Sequence, residues 1–238
     1  MKPTGIKLTA KELKKYEFFS ELKPSRLKEA LICMQPCTDQ FEYQKNEHIL
    51  YNEERGGQIH LVSSGVLKSC FVNYDGTIFV NRLYPPHTLV GLTYFLIHDA
   101  TSDMSDSGNI LIAKQNAQVW QISVGAFQAL CDRIPELMQM MIRKLLDDLE
   151  QEKFLTNMLR IPSARKRIGQ YILYQSYHSQ SDRISFTLSI TDFSAHIGLS
   201  RPACSKILHQ MENLEMIRLR PGWLEILNKQ ALIDYIGT

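Results

Sequence analysis

The pattern of apolar and polar positions changes character once along the chain, near Pro135. Before it lie short strand-like runs, Gln58–Ser63, Val66–Asn73, Thr77–Tyr84, Asn109–Lys114 and Gln118–Ser123, rich in Val, Ile, Leu, Phe and Tyr and partly alternating. Turn residues separate them: Asn52 to Gly57, Ser63-Ser64-Gly65, Asn73 to Gly76, Tyr84-Pro85-Pro86-His87 and Asp99 to Gly108. Asp75-Gly76 is a hairpin signal, since Gly readily takes the positive φ such a turn needs. Helical segments near Ala10–Lys15, with the Thr9/Glu12 spacing of a capping box, and over Ser25–Met34 precede the strands. This part of the chain is expected to be a small all-β roll or barrel with helical flanks.

From Pro135 the period becomes helical. Ile134, Met138, Met141, Leu145, Leu149, Leu155 and Leu159, joined by Leu137, Ile142 and Leu146, form an apolar stripe, with Pro135 suited to a first helical position. Arg143, Lys144, Asp147, Asp148, Glu150, Glu152 and Lys153 take the other face. So long a helix needs more apolar cover than one small domain supplies, and a partner helix across a two-fold axis is the simplest source.

Residues 191–211 read as a short helix, a turn holding Gly198, and a second helix capped by Ser200 with Pro202 in its first turn. Phe193, Ile197, Leu199, Cys204, Ile207, Leu208 and Met211 form the inward set. Arg201, Ser205, Lys206 and His209 fall on the opposite side of the second helix, a face suited to the major groove. Met216 to Arg220, the turn Pro221-Gly222, and Trp223 to Leu227 then form a hairpin. Helix-turn-helix followed by a two-stranded wing is the pattern of a winged-helix DNA reader.

Composition qualifies this picture in one respect. The 238 residues carry 27 Lys plus Arg against 25 Asp plus Glu, a formal charge of only +2. From Arg160 onward, however, ten basic residues face six acidic ones, a local +4, which leaves the first 159 residues at −2. A basic module is thus attached to a slightly acidic one, and attraction to DNA belongs to the last third of the chain. No apolar run approaches the ~18 residues needed to cross a bilayer, and Met1 to Gly5 opens no hydrophobic signal segment, so a soluble cytoplasmic protein without membrane contact is expected. The cysteines, Cys33, Cys37, Cys70, Cys131 and Cys204, are odd in number and mostly far apart. All five are expected as reduced thiols with no metal role.

With these segments in place, the chain resembles the Crp/Fnr family of bacterial transcription regulators over nearly its whole length. The resemblance rests on Gln58-Ile59-His60-Leu61-Val62-Ser63-Ser64-Gly65-Val66-Leu67, on Leu89-Val90-Gly91, on the long helix, and most specifically on Gly198-Leu199-Ser200-Arg201 through Ile207-Leu208. It implies an α+β fold: a jelly-roll-like β-roll of the cyclic-nucleotide-binding type over 1–134, a dimerisation helix over 135–160, and a winged helix-turn-helix over 161–238. It further implies a homodimer on a roughly palindromic DNA operator, a contact with RNA polymerase, and control by a small molecule in the β-roll.

The resemblance places Arg201 at the family's base-reading arginine, whose planar fork fits guanine O6 and N7 together. Lys206 stands where members often have a second arginine, and Pro202 replaces an acidic residue that accepts from cytosine. An operator other than that of the cyclic-AMP receptor protein is therefore expected. Thr191, Ser200, Arg218 and Arg220 are positioned to hold phosphates, which set register without reading sequence. The candidate effector positions are Gly91, Leu92 and Thr93 with Glu152 and Lys153. Cyclic-AMP binders carry a glutamate after the glycine and an arginine for the phosphate. Here Leu92 follows Gly91, and the segment from Thr93 to Asn109 has no Arg or Lys but contains Asp99, Asp103 and Asp106. A cyclic phosphate would meet acidic repulsion there, so the effector is expected to be something else.

Other sensors of the family fit less well. An iron–sulfur cluster needs a group of N-terminal cysteines that is missing. Haem would need His60, His87 or His98 as ligand, and no cofactor is expected. A metal-dependent cupin-like enzyme would share the β-roll, but Gln58 to Val62 offers one His where a His-x-His set is required. No nucleophile–base motif, phosphate loop or paired-carboxylate signature is present elsewhere, so the chain is not expected to be an enzyme.

Overall fold

The computed structural model describes residues 3–49, 57–74, 76, 78–92, 109–186 and 189–237. They form two compact units, Met1–Asp148 and Leu149–Thr238. The division falls inside one long helix, between the boundaries at 134 and 160 that the sequence suggests.

The first unit contains α1 (Ala10–Leu13), α2 (Glu17–Ser20), α3 (Pro24–Met34), β1 (Thr38–Tyr43), β2 (His48–Ile49), β3 (Gln58–Ser64), β4 (Leu67–Val72), β5 (Ile78–Tyr84), β6 (Leu89–Val90), β7 (Asn109–Ala113), β8 (Ala117–Ser123), α4 (Val124–Arg133) and the first part of α5 (Pro135–Leu159). Its strands make two four-stranded antiparallel sheets, ordered β1-β8-β3-β6 and β2-β7-β4-β5. Val62, Val90 and Val119 of the first sheet pack with Ile49, Leu67 and Leu111 of the second, closing the interior of the roll. The opposite face of the first sheet, through Ile59, Leu61, Trp120 and Ile122, packs on the helices. β3 is therefore buried on both faces, which is why it reads as a nearly continuous apolar run.

Local chemistry explains the flanking helices. The Thr9 hydroxyl accepts from the Glu12 amide at 3.2 Å, as a cap should. The other half of the expected capping box is replaced: the Glu12 carboxylate takes the Lys15 ammonium at 2.6 Å and the Ser63 hydroxyl at 2.9 Å, tying α1 to β3. Leu27, Ala30 and Met34 recur at helical spacing on α3 and are all buried. Each fully buried side chain of leucine size contributes roughly 1.5–3 kcal/mol.

Helix α5 runs from Pro135 to Leu159, as its period indicates. Its apolar stripe is not uniform. Leu137 and Met141 are fully buried in the first core and Met158 in the second, whereas Ile142, Leu146 and Leu149 are 52%, 55% and 49% exposed. Those three share one edge at i, i+4 and i+7.

The second unit contains the end of α5, α6 (Ala164–Ser179), β9 (Arg183–Phe186), α7 (Ile190–His196), α8 (Arg201–Asn213), β10 (Ile217–Arg220), β11 (Gly222–Ile226) and α9 (Lys229–Gly237). Its sheet, ordered β10-β11-β9, is antiparallel throughout. Ile168, Ile172, Phe193, Leu208, Met211 and Leu224 form its core. Both units together give the mixed α+β architecture read from the sequence. Among the described residues no helix is long and apolar enough to cross a membrane.

Candidate nucleic-acid interface

The geometry of the interface begins with a helix start. The Ser189 hydroxyl caps α7, accepting from the Asp192 amide at 3.1 Å and donating to the Asp192 carboxylate at 2.8 Å. The helix ends at Ile197, and Gly198 turns the chain at φ +64°. A side chain there would combine a left-handed backbone with a Cβ 2.9 Å from Leu159 Cδ2 and 3.2 Å from Arg167 Nη1. Ser200 then opens α8, its hydroxyl accepting from the Ala203 amide at 3.4 Å, with Pro202 in the first turn.

This arrangement fixes the two faces of α8. Cys204, Leu208 and Met211 are fully buried, while Arg201, Lys206 and His209 are exposed and Ser205 half-buried. Arg201 stands at the helix N-terminus, where unsatisfied amides add positive potential. Thr191 and Ser200 are exposed near the two helix starts. The structure thus brings Ser200, Arg201, Ser205, Lys206 and His209 onto one helix and its cap.

The wing follows its hairpin register, with Arg218 opposite Glu225 and Arg220 opposite Trp223. Arg218 differs from a free phosphate ligand: its guanidinium is paired with the Glu225 carboxylate at 3.0 Å. Both groups are partly solvated, and such pairs are weak enough to exchange partners. Arg220 donates to the Leu219 carbonyl at 2.8 Å and lies 3.8 Å from the Glu212 carboxylate.

Three side chains around this surface carry no sequence signal. Arg183 on β9 lies over the Trp223 ring at 3.9 Å from its centroid, adding a third arginine to the outer face of the wing. Glu212 accepts from the Leu219 amide at 3.0 Å and ties α8 to β10. Arg167 on α6 donates to the carbonyls of Ile161, Ile197 and Gly198.

Of the proposed effector positions, the structure describes Gly91 and Leu92 in the first unit and Glu152 and Lys153 in the second. Gly91, at φ +97°, is required by a close approach, since a Cβ would stand 2.7 Å from the Gln58 carbonyl oxygen. Leu92 is buried in the first core. Thr93, together with Asp99, Asp103, Asp106 and His98, lies outside the described residues. Glu152 and Lys153 are exposed in the second unit, with Lys153 paired to Glu150 at 2.8 Å. A cavity of about 160 Å³ in the first unit is lined instead by Phe18, Leu89, Met140, His87 and Arg143. His60 is fully enclosed on β3, and desolvation lowers its pKa to about 4. His87 sits in a turn with its ring edge-on to Tyr16 at 5.6 Å.

Comparison with known proteins agrees with this geometry. Residues 166–235 match the Crp-like helix-turn-helix domain. The chain is 23% identical over 205 residues to the anaerobic regulatory protein of Haemophilus influenzae, covering 82% of this chain and 75% of that one. It is likewise 23% identical over 195 residues to the cyclic AMP receptor protein of Thermus thermophilus, covering 82% and 86%. In fold it is similar to a CooA double mutant from Carboxydothermus hydrogenoformans, with a TM-score of 0.69 and 16% identity over 99% of this chain and 98% of that one. With a β-roll, a long helix and a capped, basic-faced helix in the second unit, the chain carries a Crp-like helix-turn-helix domain over residues 166–235 and is similar to Crp/Fnr transcription regulators over most of its length.

Proposed function

We propose that the chain works as a homodimer that reads a two-fold-related DNA site with one α8 helix per half-site. The observation that carries this is the division of α8 into a fully buried apolar face and an exposed face bearing Arg201, Lys206 and His209. Arg201 reads a guanine edge with two parallel hydrogen bonds. Lys206 supplies a single point charge, and Thr191, Ser200 and Arg220 hold phosphates. Arg218 joins them by exchanging Glu225 for a phosphate. The second copy of the chain covers the edge of α5 formed by Ile142, Leu146 and Leu149, whose half-exposure in one chain is otherwise unexplained. A dimer places two basic modules on one duplex, at half-sites one DNA turn apart.

Control comes from a small molecule other than cyclic AMP, acting on the β-roll. The segment after Gly91 has no cation for a cyclic phosphate. Cys33 and Cys37 are the one close pair among the five cysteines, too few for the four thiolates of an iron–sulfur cluster. Cys131 lies in the first core and Cys204 in the second, and burial pushes their pKa values up to about 12 and about 11, holding both neutral. The regulator acts in the cytoplasm, with RNA polymerase as its further partner and no enzymatic step of its own.

The test is selection of duplexes from a randomised library by the purified chain. A recovered sequence with two inverted half-sites, bound more tightly than a scrambled duplex at physiological salt, is the expected result. Equal affinity for both duplexes would remove the base-reading role of α8.

A further inference from the structure

In the second unit, the guanidinium of Arg167 makes four hydrogen bonds to backbone carbonyls. Its Nε and Nη2 both donate to the Ile161 carbonyl, at 3.2 and 2.7 Å. Its Nη1 donates to the carbonyls of Ile197 and Gly198, at 2.8 and 2.9 Å. Ile161 belongs to the chain just after α5, and its own amide still bonds back to Met158. Ile197 and Gly198 close α7 and form the turn before the recognition helix. One planar cation therefore joins the exit of the long helix to the turn that aims α8.

The chemistry suits this task. The last carbonyls of a helix carry negative potential and lack partners within the helix, so a cation placed there is favoured. A guanidinium reaches several carbonyls at fixed angles, which the single ammonium of a lysine cannot do. Gly198 leaves room for it: an added Cβ would stand 3.2 Å from Nη1. Two residues further on, Ser200 caps α8 and Arg201 begins it.

We infer that Arg167 is a positioning residue for DNA readout, holding the turn at Gly198 so that Arg201 meets a base edge rather than the neighbouring backbone. This rests on the DNA reading above, and it adds that specificity, more than affinity, depends on a residue that touches no DNA. Bidentate base contacts are sensitive to small displacements, whereas phosphate contacts tolerate them.

The experiment compares wild type, Arg167→Lys, Arg167→Met, Arg201→Ala and the double variant Arg167→Lys with Arg201→Ala on two probes, the duplex enriched from a randomised library and a scrambled duplex of equal length. Circular dichroism and thermal unfolding establish that each variant is folded, and if Arg167→Met does not fold, Arg167→Lys decides. The expected result is that Arg167→Lys lowers the ratio of the two affinities about tenfold, with scrambled-duplex affinity and its salt slope unchanged. In the Arg201→Ala background the same substitution lowers the ratio much less, because the contact it positions is already gone. A ratio unchanged by Arg167→Lys, or lowered equally in both backgrounds, overturns the inference and leaves the DNA reading standing. A wild-type chain with no preference between the probes overturns both.

Discussion

The Glu212 carboxylate, in the last turn of the recognition helix, accepts a hydrogen bond at 3.0 Å from the backbone amide of Leu219 in the wing. β10 is an edge strand of its sheet, and Glu212 supplies the Leu219 amide with a partner from outside that sheet. The bond also fixes the wing against α8, within 3.8 Å of the Arg220 guanidinium. Glu212→Ala removes a charge-assisted acceptor from a partly buried amide and should cost about 1–3 kcal/mol. Glu212→Gln keeps an acceptor and should cost less. Urea midpoints are expected in the order wild type, Gln, Ala; three equal midpoints would mean that water replaces the carboxylate without loss.

Arg201 and Arg220 are both exposed, and the proposed function gives them different work. Arg201→Ala should cost ~1–3 kcal/mol on the enriched duplex and relax preference at one base pair per half-site. Arg220→Ala should weaken all sequences alike and flatten the salt slope by about one. Binding measured across a salt series on matched and mismatched duplexes separates the two. Equal shifts in specificity from both substitutions would contradict the division into base and phosphate contacts.

The parts of the interface legible in the sequence are those that local rules specify. Ser200, Pro202 and Gly198 mark a helix start and a turn by residue type alone, and the structure places them there. β3 to β5, β7 and β8 come within about a residue of their runs because their apolar content is high. β1 escaped notice because two of its three buried residues, Thr38 and Gln40, are polar. β2 and β6 are two residues long, too short for any period. Arg167 and Glu212 bond to backbone atoms, which leave no trace in side-chain pattern. The Arg218–Glu225 pair differs from these: counting back from the Pro221-Gly222 turn places the two opposite one another, a register signal that could have revealed the partner where Arg218 was expected to hold a phosphate.

Ile142, Leu146 and Leu149 line an edge of α5 that neither core covers. A charge at Leu146, 55% exposed in the single chain, leaves the protomer's packing untouched but cannot be accommodated between two apposed helices. Leu146→Glu should therefore give a monomer by light scattering at micromolar concentration, with an unchanged far-ultraviolet spectrum, where the wild type should be a dimer. Its affinity for the two-half-site duplex should fall to that for a single half-site. A monomeric wild type would remove the basis for the two-fold operator.

His60 gives the first unit a specific acid sensitivity. Burial lowers its pKa from 6.5 to about 4, so the native state holds the ring neutral. The unfolded chain protonates it near 6.5. Between those values the unfolded state binds a proton that the native state does not, so this contribution to stability is complete above pH 6.5. It falls as the pH drops toward 4 and is constant below that, a loss of roughly 3 kcal/mol in all. His60→Leu keeps the site apolar and removes the titration. Unfolding free energies from urea titrations at pH 7 and pH 4.5 should therefore converge in the variant relative to wild type, with the wild type losing more on acidification. Equal losses in the two proteins would mean that carboxylates alone govern the acid response and that His60 is charged in the folded state.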